Sequence, residues 1–126
     1  MYSMMIVDYL KCAHSLQGDI FGPAQLVHVS TYDIEVTFIT PDVDENGIIV
    51  DFAGAQVALN ETLAPMRFKN LDEVPELGGI NTTTENLCRY FHDQISLRMK
   101  GKFSGTLRIN LHEGRVANAC YEAPMS

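Results

Sequence analysis

The stretch that decides the fold is AQLVHVSTYDIEV, from Ala24 to Val36. A strand turns successive side chains to opposite faces, so His28, Ser30, Tyr32, Ile34 and Val36 share one face, with Val29, Thr31, Asp33 and Glu35 on the other. An imidazole therefore sits at the polar mouth of an otherwise apolar face. The pattern continues to about Thr40, where Pro41 stops it. Upstream, Met4 to His14 reads the same way, with Ile6, Asp8, Leu10, Cys12 and His14 on one face and Met5, Val7, Tyr9, Lys11 and Ala13 on the other. If the two strands pair antiparallel, the end of the first lies beside the start of the second, and His14 meets His28.

Outward from this hairpin, Ser15 to Gln25 is rich in turn residues and reads as a loop at the histidine end, broken by Gly18, Gly22 and Pro23. Pro41 to Gly47 is an acidic turn without the spacing or terminal Glu of a calcium loop. From Asp51 the period lengthens to that of a helix: Phe52, Ala55, Leu59, Leu63 and Met66 line one face, Asp51 is placed to cap its start, and Pro65 ends it. Thr82 followed by Glu85 is a capping-box signature for a second helix carrying Leu87, Phe91 and Ile95 and running to about Met99. Leu107 to Glu113 and Val116 to Tyr121 alternate about a turn at Gly114 and Arg115. The order is ββααββ: an α+β fold, a four-stranded antiparallel sheet with both helices on one face.

At 126 residues the chain is long enough for one core and too short for two, so residues 1–126 read as a single domain. A net charge of −7 with only nine Lys and Arg argues against nucleic acid, which needs a basic patch. Cys12, Cys88 and Cys120 are odd in number and widely spaced, so neither a disulfide framework nor a CxxC metal knuckle is indicated. Cys12 and Cys120 read as small core residues on strands, His92 and His112 as surface residues. No basic leader and no apolar run of spanning length stand out, so a cytoplasmic protein with no membrane contact is expected.

Five short pieces together resemble the 6-pyruvoyltetrahydropterin synthase and 6-carboxytetrahydropterin synthase family. They are AHSL at 13–16, His28 with Tyr32 and the following IEV, GIIVDF at 47–52, TTENL at 83–87, and Glu113 followed by ACY at 119–121. The resemblance spans nearly the whole chain. It implies a tunnelling fold, in which subunits join sheet edges into rings, a homo-oligomer such as a trimer or hexamer. It also implies a three-histidine zinc site beside a pterin pocket, acting on dihydroneopterin triphosphate. There the metal acidifies bound hydroxyls while a base removes a carbon-bound proton, and a Glu accepts two parallel N–H bonds from the pterin edge.

Residue by residue, the match is incomplete. His14 and His28 fall on two zinc ligands, but the third position is Ser30, and a hydroxyl is a poor zinc ligand. Water or a carboxylate would have to complete the shell. The family's catalytic Cys position is Ala24, and its Asp and His positions are Arg67 and Phe68. Glu113 and Glu85 match the pterin-contacting glutamates, with Thr83 and Thr84 beside Glu85. Arg67 and Lys69 put positive charge where the catalytic pair would stand, available to a ligand phosphate or carboxylate. Tyr32 is a candidate replacement base. Three readings stay open: a divergent metal-dependent lyase, a catalytically inactive pterin- or purine-binding protein of the same fold, and a purely structural ring subunit.

Overall fold

The computed structural model describes residues 1–125. Two long strands open the chain, β1 (Tyr2–His14) and β2 (His28–Thr40), and they pair antiparallel from Tyr2 opposite Thr40 to His14 opposite His28. The register the alternation demands is the register observed. Ile6, Leu10, Cys12 and His14 are buried on one face of β1, while Met5, Val7 and Tyr9 stand about half exposed on the other. On β2, Ser30, Tyr32, Ile34, Val36 and Phe38 are buried together.

β3 (Thr106–Glu113) pairs antiparallel with β2, setting Glu113 opposite Tyr32, and β4 (Ala117–Pro124) pairs with β3, so the sheet order follows the chain. The helices α1 (Phe52–Leu63) and α2 (Thr84–Arg98) cover a single face: Ala55, Leu59 and Leu63 from α1 and Leu87, Phe91 and Ile95 from α2 share one core with Leu10, Tyr32, Ile34 and Ile109. Closing that core removes the apolar side of every element from water, which is the main driving force for the layered arrangement.

Several expectations are corrected by the packing. The strand starts at His28, not in the residues before it, because Asp19–Gln25 forms 3-10 turns kinked at Gly22, whose φ is +53°. Phe52 is 55% exposed, since the first residue of α1 lies ahead of the turn that meets the sheet. Asp51 does cap α1, its carboxylate accepting the Ala53 N–H at 3.2 Å. α2 is capped by Thr83, not Thr82: the Thr83 hydroxyl accepts the Asn86 N–H at 3.1 Å, and the helix begins one residue later than the capping box suggests.

His92 is 4% exposed instead of lying at the surface, because α2 presents it to β4, where Nε2–H donates to the Ala123 carbonyl at 3.0 Å. Cys120 is exposed instead of packed. It pairs with Asn110 on the sheet face away from the helices, so the pleat turns it outward. His112, half-buried on that same face, meets Glu35 at 2.7 Å. The outer edge of β1 is partly covered by 67–70, through Phe68 N–H to the Lys11 carbonyl at 2.7 Å and Ala13 N–H to the Lys69 carbonyl at 2.9 Å. Among the described residues no helix is long and apolar enough to cross a membrane.

Candidate functional site

The pairing of β1 with β2 brings His14 and His28 side by side, ring centroids 4.7 Å apart and tilted by 51°. His14 is 2% exposed and engaged at both ring nitrogens. Nδ1 lies 2.9 Å from the Thr82 hydroxyl, while Nε2 lies 3.1 Å from the Ser30 hydroxyl and 3.4 Å from that of Tyr32. Burial lowers the His14 pKa, the neighbouring His28 adds to the effect, and Glu113 and Asp72 oppose it. At neutral pH this imidazole is uncharged.

His28 is half-buried, and its Nδ1–H donates to the Leu26 carbonyl at 2.9 Å, which fixes the tautomer and leaves Nε2 with its lone pair free. The turn that delays the start of β2 is what presents that carbonyl.

Tyr32 and Glu113 face each other across β2 and β3 on the helix-covered face. The Thr84 hydroxyl, in the first turn of α2, donates to Glu113 Oε2 at 3.2 Å. Polar side chains thus run from Thr82 through His14 to Ser30 and Tyr32, with Glu113 and Thr84 next to Tyr32 across the β2–β3 pairing, a polar row on the helix-covered face. Burial raises the Tyr32 pKa and the Glu113 charge raises it further, which keeps the phenol protonated and makes it a poor base. Cys12, directly across from Ser30, is likewise pushed up to about 12 by burial and then by Glu113. Glu113 itself is half-buried, with no Lys, Arg or His ion-paired to it among the described residues.

The other expected site residues are dispersed. Glu85 is exposed in the first turn of α2, where its charge suits the helix N-terminus, and the Thr83 side chain is spent on the cap. Ala24 lies half-buried in the turn before β2. Arg67 is not free for a ligand: its guanidinium meets Asp8 at 2.8 Å and lies over the Tyr9 ring at 5.5 Å. Asp8 precedes His14 by six residues along a strand, about 20 Å away at ~3.4 Å per residue. Phe68 and Lys69 are exposed on the β1 edge. Thr82, which the capping-box pattern places at the helix end, partners His14 instead, because the segment leading into α2 lies beside the end of β1.

The donors at this end do not fit a zinc site. Two imidazoles and a hydroxyl make a poor donor set for that metal, and among the described residues no three His, Cys, Asp or Glu side chains are arranged to hold a metal ion. A cleft of about 420 Å³ adjoins the pair behind Thr82, lined by Ser15, Gln17, Asp72 and Asn81. Neither Glu113 nor His28 lines it, and both are half-buried in the single chain.

Comparison with known proteins agrees with this architecture. The family model described as 6-pyruvoyl tetrahydropterin synthase matches residues 4–124. The solved 6-pyruvoyl tetrahydropterin synthase of Caenorhabditis elegans superposes with a TM-score of 0.85 at 20% identity, covering 97% of this chain and 95% of the other. That of Plasmodium vivax gives 0.77 at 10% identity, with 98% and 99% covered. The Plasmodium falciparum structure gives 0.76 at 12%, with 97% and 98% covered. At such identities the likeness concerns the fold alone. No curated protein matches the chain.

Proposed function

This chain belongs to the 6-pyruvoyl tetrahydropterin synthase family, and from that premise we propose that it is a pterin-binding protein that keeps ring recognition without the family's zinc-dependent lyase chemistry. The observation that carries the reading is Glu113: a half-buried carboxylate at the end of β3, oriented by the Thr84 hydroxyl at 3.2 Å and without a cation partner. A carboxylate so held is ready to accept the two parallel N–H bonds of a 2-amino-4-oxo pyrimidine edge. Proton abstraction lacks an agent, since Ala24, Arg67 and Phe68 stand at the family's Cys, Asp and His positions and Tyr32 holds its proton.

β1 and β4 are the edges of the sheet, and in this reading subunits join through them to wall the open end of the site. Calorimetric titration with dihydroneopterin tests the proposal. Glu113→Gln replaces a two-oxygen acceptor by one oxygen and an opposing N–H₂, and the expected loss is about 2–3 kcal/mol, roughly 30- to 150-fold in affinity. Unchanged affinity in the variant removes Glu113 as the anchor. Turnover of dihydroneopterin triphosphate by the purified wild-type chain refutes the loss of lyase chemistry.

A further inference from the structure

Zinc held between His14 and His28 would take the Nε2 lone pair of each. On His14 that nitrogen is already engaged by two hydroxyls, Ser30 at 3.1 Å and Tyr32 at 3.4 Å, and Thr82 engages the other nitrogen. Ser30 is 4% exposed and Tyr32 wholly buried. A cation entering there would strip two buried hydroxyls of their partner and receive only two imidazole nitrogens in return. The position along β2 from which a third ligand would come is the one that supplies the hydroxyl instead.

His28 has the opposite character. Its Nδ1–H is committed to the Leu26 carbonyl, and Nε2 has no hydrogen-bond partner among the described residues. A bare imidazole lone pair accepts from an O–H or N–H donor. Charge at this end favours the same kind of guest: Glu113 and Asp72 both act on His14, while no Lys or Arg hydrogen-bonds to any side chain of the polar row. Arg67 is bound to Asp8, Arg98 lies by Glu61, and Arg108 is bound to Glu122. A phosphate group would find acceptors and carboxylates facing it, whereas an uncharged hydroxyl finds an acceptor.

We infer that the histidine pair of this chain is a metal-free hydrogen-bonding subsite for an uncharged, hydroxyl-bearing substituent of the ring ligand. His28 Nε2 is the acceptor, and His14 is a rigid backing held by Thr82, Ser30 and Tyr32. The ligand half of the inference rests on the pterin reading; the metal-free half stands apart from it.

The test uses the full chain, dialysed once against zinc and once against a chelator, with elemental analysis and thermal unfolding of both samples. Each is then titrated with dihydroneopterin, its triphosphate and unsubstituted pterin. The expected result is substoichiometric zinc, one melting temperature, and an affinity for dihydroneopterin that ignores the chelator and exceeds that for the triphosphate. His28→Ala, checked for an unchanged melting temperature, should lose about tenfold for dihydroneopterin, one hydrogen bond's worth, and nothing for unsubstituted pterin. One zinc per chain surviving dialysis and raising the melting temperature overturns the metal-free half. Tighter binding of the triphosphate, or equal losses for both pterins in His28→Ala, overturns the hydroxyl half. No binding of any pterin to a zinc-free chain sinks the pterin reading and the ligand half together, while the metal-free pair stands.

Discussion

Replacing Thr82 with valine keeps the shape of the side chain and removes the oxygen that His14 Nδ1 meets at 2.9 Å. Thr82 is 3% and His14 2% exposed, so no water replaces the lost partner without rearrangement. The cost is that of leaving one buried polar nitrogen unsatisfied, about 1–3 kcal/mol. For a chain of this length the entropy of unfolding is about 0.26 kcal/mol/K, which converts the cost to a fall of roughly 4–12 °C in melting temperature. Urea unfolding followed by far-ultraviolet circular dichroism should show a lower midpoint at an unchanged slope. Thr83→Val is the companion: it removes the α2 cap at a cost of about 0.5–2 kcal/mol but should leave the His14 ring resonances in place. The reasoning is refuted if Thr82→Val is neutral, or if the His14 resonances move in Thr83→Val and stay fixed in Thr82→Val. Either result would mean that Thr82 caps the helix and His14 has another partner.

Other outcomes follow from the same contacts. Arg67→Ala should cost only about 0.5–1 kcal/mol, since its ion pair with Asp8 is partly solvated, and should leave pterin affinity within twofold; a tenfold loss of affinity would return Arg67 to the site. Because burial lowers the His14 pKa below its unfolded value of 6.5, the stability linked to it is complete above that pH and is lost as the pH falls from there through the folded value. The slope is at most ~1.4 kcal/mol per pH unit for one proton. His14→Gln should flatten that part of the stability profile, and a profile equally steep in the variant would assign the acid sensitivity elsewhere. Iodoacetamide at pH 8 followed by peptide mass spectrometry should label the exposed Cys120 well before Cys12, which is buried with its thiol pushed up to about 12. Faster labelling of Cys12 would contradict the burial of the Ser30 side of the site.

Much of the fold could be read from neighbours along the chain. Alternation in β1 and β2 named their buried faces, and the antiparallel hairpin with a histidine at each facing end pairs His14 with His28, as observed. Asp51 declared the start of α1, and Pro65 its limit, because caps and proline act over a single turn.

What the chain alone left undecided involves partners far apart in sequence or a phase set by a turn. Thr82 and Thr83 are chemically equivalent in a run of three threonines, and only the placement of the segment before α2 beside the end of β1 sends one hydroxyl to His14 and the next to the helix end. Arg67 reads as a free cation until 67–70 folds along the β1 edge and delivers it to Asp8. Starting β4 at Ala117 puts Cys120 outside, and the docking of α2 on β4 buries His92, though neither residue type announces it. Thr84 reaches Glu113 for the same reason. Periodicity and capping are written in adjacent residues because they are satisfied within a turn or a strand, whereas the partner of a polar side chain is chosen by which surfaces the core brings together.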